Sequence, residues 1–256
     1  MIRKVWTREE TIIALFLYCQ IPFGQIYKSN REIIKFAQII GRTPSALSLK
    51  MANLSSIDPT IRQSGMSHAS KLDAEIFYEF KQNLSGLIGE VFKILNGLKD
   101  SNTYAYNILD EYKHMIPLGS SKKVTVKQRI GQDFFRQAVL ASYDMQCCVT
   151  GLQNTKLLIA SHIKPWCNAS DLEKTNPANG LCLNSMHDAL FDKGFMTLDD
   201  QYRVLLSSEL RQVEMDLDTK DWLFKYEGTK IHLPTNKLFL PDKKFLEYHR
   251  ESVFLG

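Results

Sequence analysis

Between Leu157 and Gly194 the chain reads LLIASHIKPW, a polar interval, then NPANGLCLNSMHDALFDKG. Few folds accommodate that order. KLLIASHI is an apolar run of strand length ending near His162, and GLCLN is a second one. The Asn179-Gly180 pair between them is a turn signal. NSMHDALFD has the length and capping of a short helix, closed by Gly194. Strand, loop, strand and helix in so short a span predict a hairpin with a helix beside it. His162 then stands at the end of the first strand and His187 at the head of the helix, facing each other across a cleft.

The segments on either side differ in character. Before residue 118 the pattern is helical. Thr7 and Glu10 have capping-box spacing ahead of IIALFLYC, and Ser29 and Glu32 repeat it ahead of IIKFAQII, which Gly41 ends. Thr43 caps a further helix with Pro44 at its first position. Helix, glycine turn and helix outline a helix-turn-helix. In its second helix Ala46, Leu47 and Met51 are expected to pack inward. Ser45, Ser48, Lys50 and Asn53 are expected to face solvent, a set suited to a major groove. Further helices are expected over Lys71–Leu84 and Gly86–Leu98, while helicity after Thr103 stays open. PLGSSKKVTV at 117–126 has linker composition. Beyond it, Gln132–Tyr143 reads as an amphipathic helix, CCVTG as a strand entering a turn, and FMTLDDQYRVLLS as a hairpin about Asp199-Asp200. The expected architecture is α+β: a helical DNA-recognition domain at 1–118, a linker at 119–126, and a second domain at 127–256.

Charge and cysteine usage narrow the class. Residues 1–126 carry 16 Lys+Arg against 11 Asp+Glu, a net +5, whereas 127–256 carry a net −1. The basic excess lies where a nucleic-acid-binding module needs it. An odd number of cysteines, at 19, 147, 148, 167 and 182, fits reduced thiols rather than a disulfide framework. No apolar run reaches the roughly 18 residues of a membrane span, and MIRKVWTREE lacks a signal-peptide core, so a cytoplasmic protein is expected.

The central segment holds the parts of a phosphodiester-cutting site. Such a cut needs an activated water and positive charge on the phosphate and the departing 3′ oxygen. A neutral histidine near its reference pKa supplies the base, and one loosely held divalent ion supplies the charge. Asn179 is placed so that its amide ties the intervening loop to backbone groups and fixes the imidazole.

Four segments, CVTG at 148–151, ASHIKPW at 160–166, NGLCL at 179–183 and HDALFDKG at 187–194, together resemble the HNH (ββα-metal) nuclease motif. The form is that of bacterial restriction-type HNH endonucleases, and the likeness extends over about residues 132–206. The resemblance implies His162 as general base, Asn179 as the brace and His187 as a metal ligand. Asp188 is a rival or companion ligand, because sequence leaves the helix register open. It further implies one Mg²⁺ or Mn²⁺, double-stranded DNA as substrate, a homodimer for double-strand cutting, and a restriction role that can include reading a modified base. Lys156, Lys164 and Lys193 are candidate phosphate contacts. Asp192 is either a partner for a site histidine or a helix end cap, and Trp166 is expected in the core.

Two departures from the pattern matter. Many relatives place an acidic residue before the base histidine; here it is Ser161, a weak ligand for a hard cation. Many also bind a structural zinc through two Cys-x-x-Cys pairs. Here Gly151 follows Cys148, Asn184-x-x-His187 stands in place of the later pair, and no structural zinc is expected. The first departure keeps open a DNA-binding protein with a catalytically degenerate HNH fold. A non-specific nuclease toxin is the other rival.

Overall fold

The apolar run IIALFLYC becomes the centre of the N-terminal part of the chain. In the computed structural model, which describes residues 5–59, 68–114 and 125–256, helix α1 (Arg8–Tyr18) is buried from Glu10 to Tyr18. Its N-terminus carries the expected capping box, with Thr7 and Glu10 each bonding the other's backbone N–H. A polar residue this deep needs a partner: Arg42 grips the Glu10 carboxylate through Nε (3.0 Å) and Nη2 (2.6 Å) and lies over the Trp6 ring.

Helix α2 (Arg31–Ile39) starts one residue later than its sequence signature suggests. Asn30, not Ser29, is the cap, accepting from the N–H groups of Glu32 and Ile33. Gly41, at φ +62°, ends the helix as expected. The N–H groups of Gly41 and Arg42 return to Gln38 and Ala37, the paired pattern of a Schellman turn. Helix α3 (Pro44–Ser55) then begins with Thr43 capping Ala46. The chain continues through α4 (Lys71–Phe80), α5 (Leu84–Leu98) and α6 (Thr103–His114), with α1 packed against α3, α4 and α5. The segment whose helicity the sequence left open is thus α6.

Helix α7 (Val126–Ser142) begins earlier than expected. The chain divides into two units, Met1–Ala138 and Val139–Gly256, and the division falls within α7. Residues 119–124 of the expected linker lie outside the described ones.

In the C-terminal unit, β1 (Leu158–His162) pairs antiparallel with β2 (Gly180–Asn184), so that His162 faces Gly180 and Ser161 faces Leu181. The short helix α8 (Asp171–Lys174) lies in the loop between them, capped by Ser170. Helix α9 (Ser185–Asp192) follows β2 directly and packs on both strands. A second hairpin, β3 (Met196–Leu198) with β4 (Val204–Leu206), and helices α10 (Leu217–Phe224) and α11 (Lys243–Ser252) complete the unit. The described N-terminal residues form helices, whereas helices and two small antiparallel sheets share the C-terminal unit, an α+β arrangement. The CCVTG segment is a turn rather than a strand. The Gly151 N–H closes back on the Cys147 carbonyl at 2.8 Å, and glycine at φ +73° reverses the chain there.

Two buried contacts hold α9 from behind. His249 of α11 stacks on Phe191, with ring centroids 3.8 Å apart. Its Nε2–H donates to the Phe191 carbonyl, while Nδ1 accepts from Thr197 Oγ1 at 2.9 Å. Past the helix, Gly194 at φ +78° lets the segment around Val253 lie against its backbone, and the Leu255 N–H donates to the Gly194 carbonyl.

Candidate active site

The β1–β2 register sets the first side chain. His162 ends β1, half-buried, and its Nε2–H donates to the Lys174 carbonyl at 3.0 Å. A carbonyl can only accept, so the neutral ring carries its lone pair on Nδ1. Burial holds the imidazole below its usual pKa, with the Lys174 bond working against that shift. The ring is therefore neutral, and able to accept a proton, at physiological pH.

Asn179 lies fully buried at the other end of the loop. Its Oδ1 accepts from the Lys164 N–H at 2.8 Å, and its Nδ2 donates to the carbonyls of Lys164 and Glu173 at 3.3 Å. One side chain thus pins both ends of the loop that follows His162, and the Ile163 N–H adds a bond to the Asn179 carbonyl. Glu173 sits immediately before Lys174, so this brace also places the carbonyl that orients His162.

On α9 adjacent residues point different ways. His187 is only 1% exposed. Its backbone N–H and Nδ1–H both reach Asn184 Oδ1, at 2.9 and 3.1 Å, and its ring packs in a cluster with Trp222 and Tyr226. That apolar setting pushes its pKa down to about 4. Asn184 in turn bonds Thr150, and its N–H reaches Cys147 Sγ at 3.3 Å. The positions that hold zinc-binding pairs in many relatives are here joined by hydrogen bonds.

Asp188 is half-buried, with the hydroxyl of Ser161, the neighbour of His162, close enough to favour its charged form. Burial raises its carboxyl pKa; the Ser161 hydroxyl opposes the rise, and nearby Asp192 adds to it. Asp192 is exposed one helical turn further on, at i+4 and hence on the same face. Two carboxylates on one helix face, with a hydroxyl near the first, offer hard oxygens, the kind Mg²⁺ and Mn²⁺ take, with water and substrate filling the remaining positions. No group of three or more His, Cys, Asp or Glu side chains placed to hold a metal ion occurs among the described residues. The pair on α9 is nonetheless suited to an open site.

The DNA-contact candidates fare unevenly. Lys164 is engaged: its Nζ lies 2.9 Å from Glu173 and over the Tyr248 ring. Lys50, expected on the outer face of α3, is instead buried at 4% exposure, in an ion pair with Asp73 and over Trp6. The reason is that Asp73, reciprocating the Ser70 cap of α4, is itself buried and needs a cation. Ser45 is exposed; Ser48 and Asn53 are half-buried, like Ala46, which was expected to face inward. Trp166 also departs from expectation: it is 36% exposed and meets His162 edge to face. The i, i+4 spacing of Asp188 and Asp192 is a signal that sequence reasoning passed over. The roles of Lys174, Trp222 and Tyr226 leave none.

Residues 147–199 match the family model described as HNH endonuclease, so this part of the chain carries an HNH endonuclease domain. Among solved structures, one similar chain is a modification-dependent restriction endonuclease, TagI. It is 18% identical, with the match covering 46% of this chain and 37% of that one at a TM-score of 0.32. At that level the likeness carries no functional argument. No curated protein matches the chain.

Proposed function

We propose that the C-terminal unit is a metal-dependent DNA endonuclease of the restriction type. His162 Nδ1 takes the proton from a water that attacks the phosphorus in line. The Lys174 carbonyl and the loop pinned by Asn179 keep the ring in the required tautomer and place. Asp188, with Asp192, holds one Mg²⁺ or Mn²⁺, and His187 anchors the helix from within. Such a cation, when bound, would supply charge stabilisation to the phosphate and to the departing 3′ oxygen. The observation that carries this reading is the neutral, Nε2-anchored His162 beside the Ser161–Asp188 contact, within the segment that matches the HNH endonuclease family.

The N-terminal helical unit, with Ser45, Ser48 and Asn53 on or near the outer face of α3, is the DNA-recognising part in this reading. Double-strand cutting by a protein with one such site then requires a homodimer. The test is cleavage of plasmid DNA, unmodified and carrying methylated or hydroxymethylated bases, in Mg²⁺ or Mn²⁺, beside His162→Ala. Discrete metal-dependent fragments absent from the variant support the proposal, and dependence on modification names the substrate. DNA binding without cleavage of any substrate in either metal overturns it in favour of a degenerate fold.

A further inference from the structure

A single hydrogen bond does not fix an imidazole. The second side-chain torsion of histidine is broad, so the ring can swing about an Nε2–H···O contact while keeping it. His162 has a second contact that removes this freedom. Its ring lies 5.4 Å from that of Trp166 at an interplanar angle of 82°. The two restraints are themselves linked through Lys174. The Lys174 carbonyl accepts from His162, while its ammonium sits 5.4 Å over the Trp166 ring and 3.2 Å from Asp171. Imidazole, indole and lysine form a closed set of three contacts on the loop between β1 and β2.

Core packing does not account for Trp166, which keeps over a third of its surface in water. We propose that Trp166 is a positioning residue for His162, its indole fixing the plane of the imidazole so that Nδ1 is aimed at the attacking water. Lys174 holds the indole in place by resting its ammonium on the ring. The charged groups around this set are the Lys174–Asp171 and Lys164–Glu173 pairs on the loop and Asp188 on α9. All of them survive replacement of Trp166, so a change in rate reports ring placement rather than altered charge. The inference rests on His162 being the general base.

The test uses the full chain carrying Trp166→Phe, Trp166→Ala or Lys174→Met; the last keeps the backbone carbonyl. Two quantities are read: kcat and KM for DNA cleavage in Mg²⁺, and the ring-proton resonances of His162, assigned with His162→Gln. Trp166→Ala is expected to lower kcat on the order of 10- to 100-fold with KM little changed. It should also move the His162 resonances as the ring current of the indole is lost. Trp166→Phe restores most of the rate, and Lys174→Met falls between. An unchanged kcat overturns the proposal, as does a raised KM at constant kcat, which would make Trp166 a DNA contact. If the wild type cuts no DNA, the nuclease reading fails separately. The resonances still decide the contact, because no shift in Trp166→Ala refutes it.

Discussion

His187 and His249 are both 1% exposed and both held at a pKa of about 4, chiefly by burial. In the unfolded chain each returns to about 6.5, so unfolding between these values takes up protons that the folded unit refuses. Stability therefore falls as pH falls. From pH 7 to pH 5 the loss is about 2 kcal/mol for each histidine, or about 4 kcal/mol for the pair, a large share of a domain's total. His162, also lowered, adds to the trend, while Asp144 and Asp188, raised by burial, oppose it. The assay is urea unfolding at pH 7 and pH 5, followed by tryptophan fluorescence, since Trp222 lies against His187. His187→Gln and His249→Gln should each be less stable than wild type at pH 7. Each should also lose about 2 kcal/mol less than wild type on going to pH 5. A pH dependence shared by wild type and both variants refutes the reasoning.

Asp188→Asn should abolish cleavage and leave the melting temperature unchanged or higher, since it removes a half-buried charge beside Asp192; a magnesium titration of activity alongside calorimetry checks both. Asn179→Ala strands the Lys164 N–H and two carbonyls, and about 2–4 kcal/mol of stability should be lost in urea unfolding. Gly194→Ala meets both a φ of +78° and the Val253 carbonyl, whereas Gly228→Ala meets only a φ of +70° in open space. Gly194→Ala should therefore lower the melting temperature more. EDTA should stop cleavage without shifting the melting temperature, because Cys147, Asn184 and His187 are tied by hydrogen bonds that need no metal.

The local order of the C-terminal unit was legible because each signal is short-range. Two apolar runs and a short amphipathic stretch closed by Gly194 suffice to write strand, strand and helix, and the Thr7, Gly41 and Thr43 caps were readable for the same reason; the Asn179-Gly180 pair, read as a turn, instead ends a short 3-10 turn and opens β2 in extended backbone. Errors arose where a partner distant in sequence decides. Lys50 looked like a solvent-facing residue because Asp73, twenty-three positions away, is invisible to helix periodicity. The surroundings of His187 were equally out of reach, since the Trp222 ring it packs against belongs to α10, thirty-five positions further along. Ser29 against Asn30 was a contest between neighbouring good caps, which geometry alone resolves. Trp166 was assigned to the core by residue type, and only the loop's own path places it at the surface.

The double hold of Asn179 on Lys164 and Glu173 separates the loop's geometry from its length. Its two ends are anchored independently of the bend between them, and beyond Trp166 the exposed Cys167 and Asn168 carry little of the packing. Residues inserted there lengthen a surface arm without moving His162 or Lys174. The loop is thus a graft point at which a lineage can vary its surface while the backbone around His162 and Lys174 is inherited unchanged.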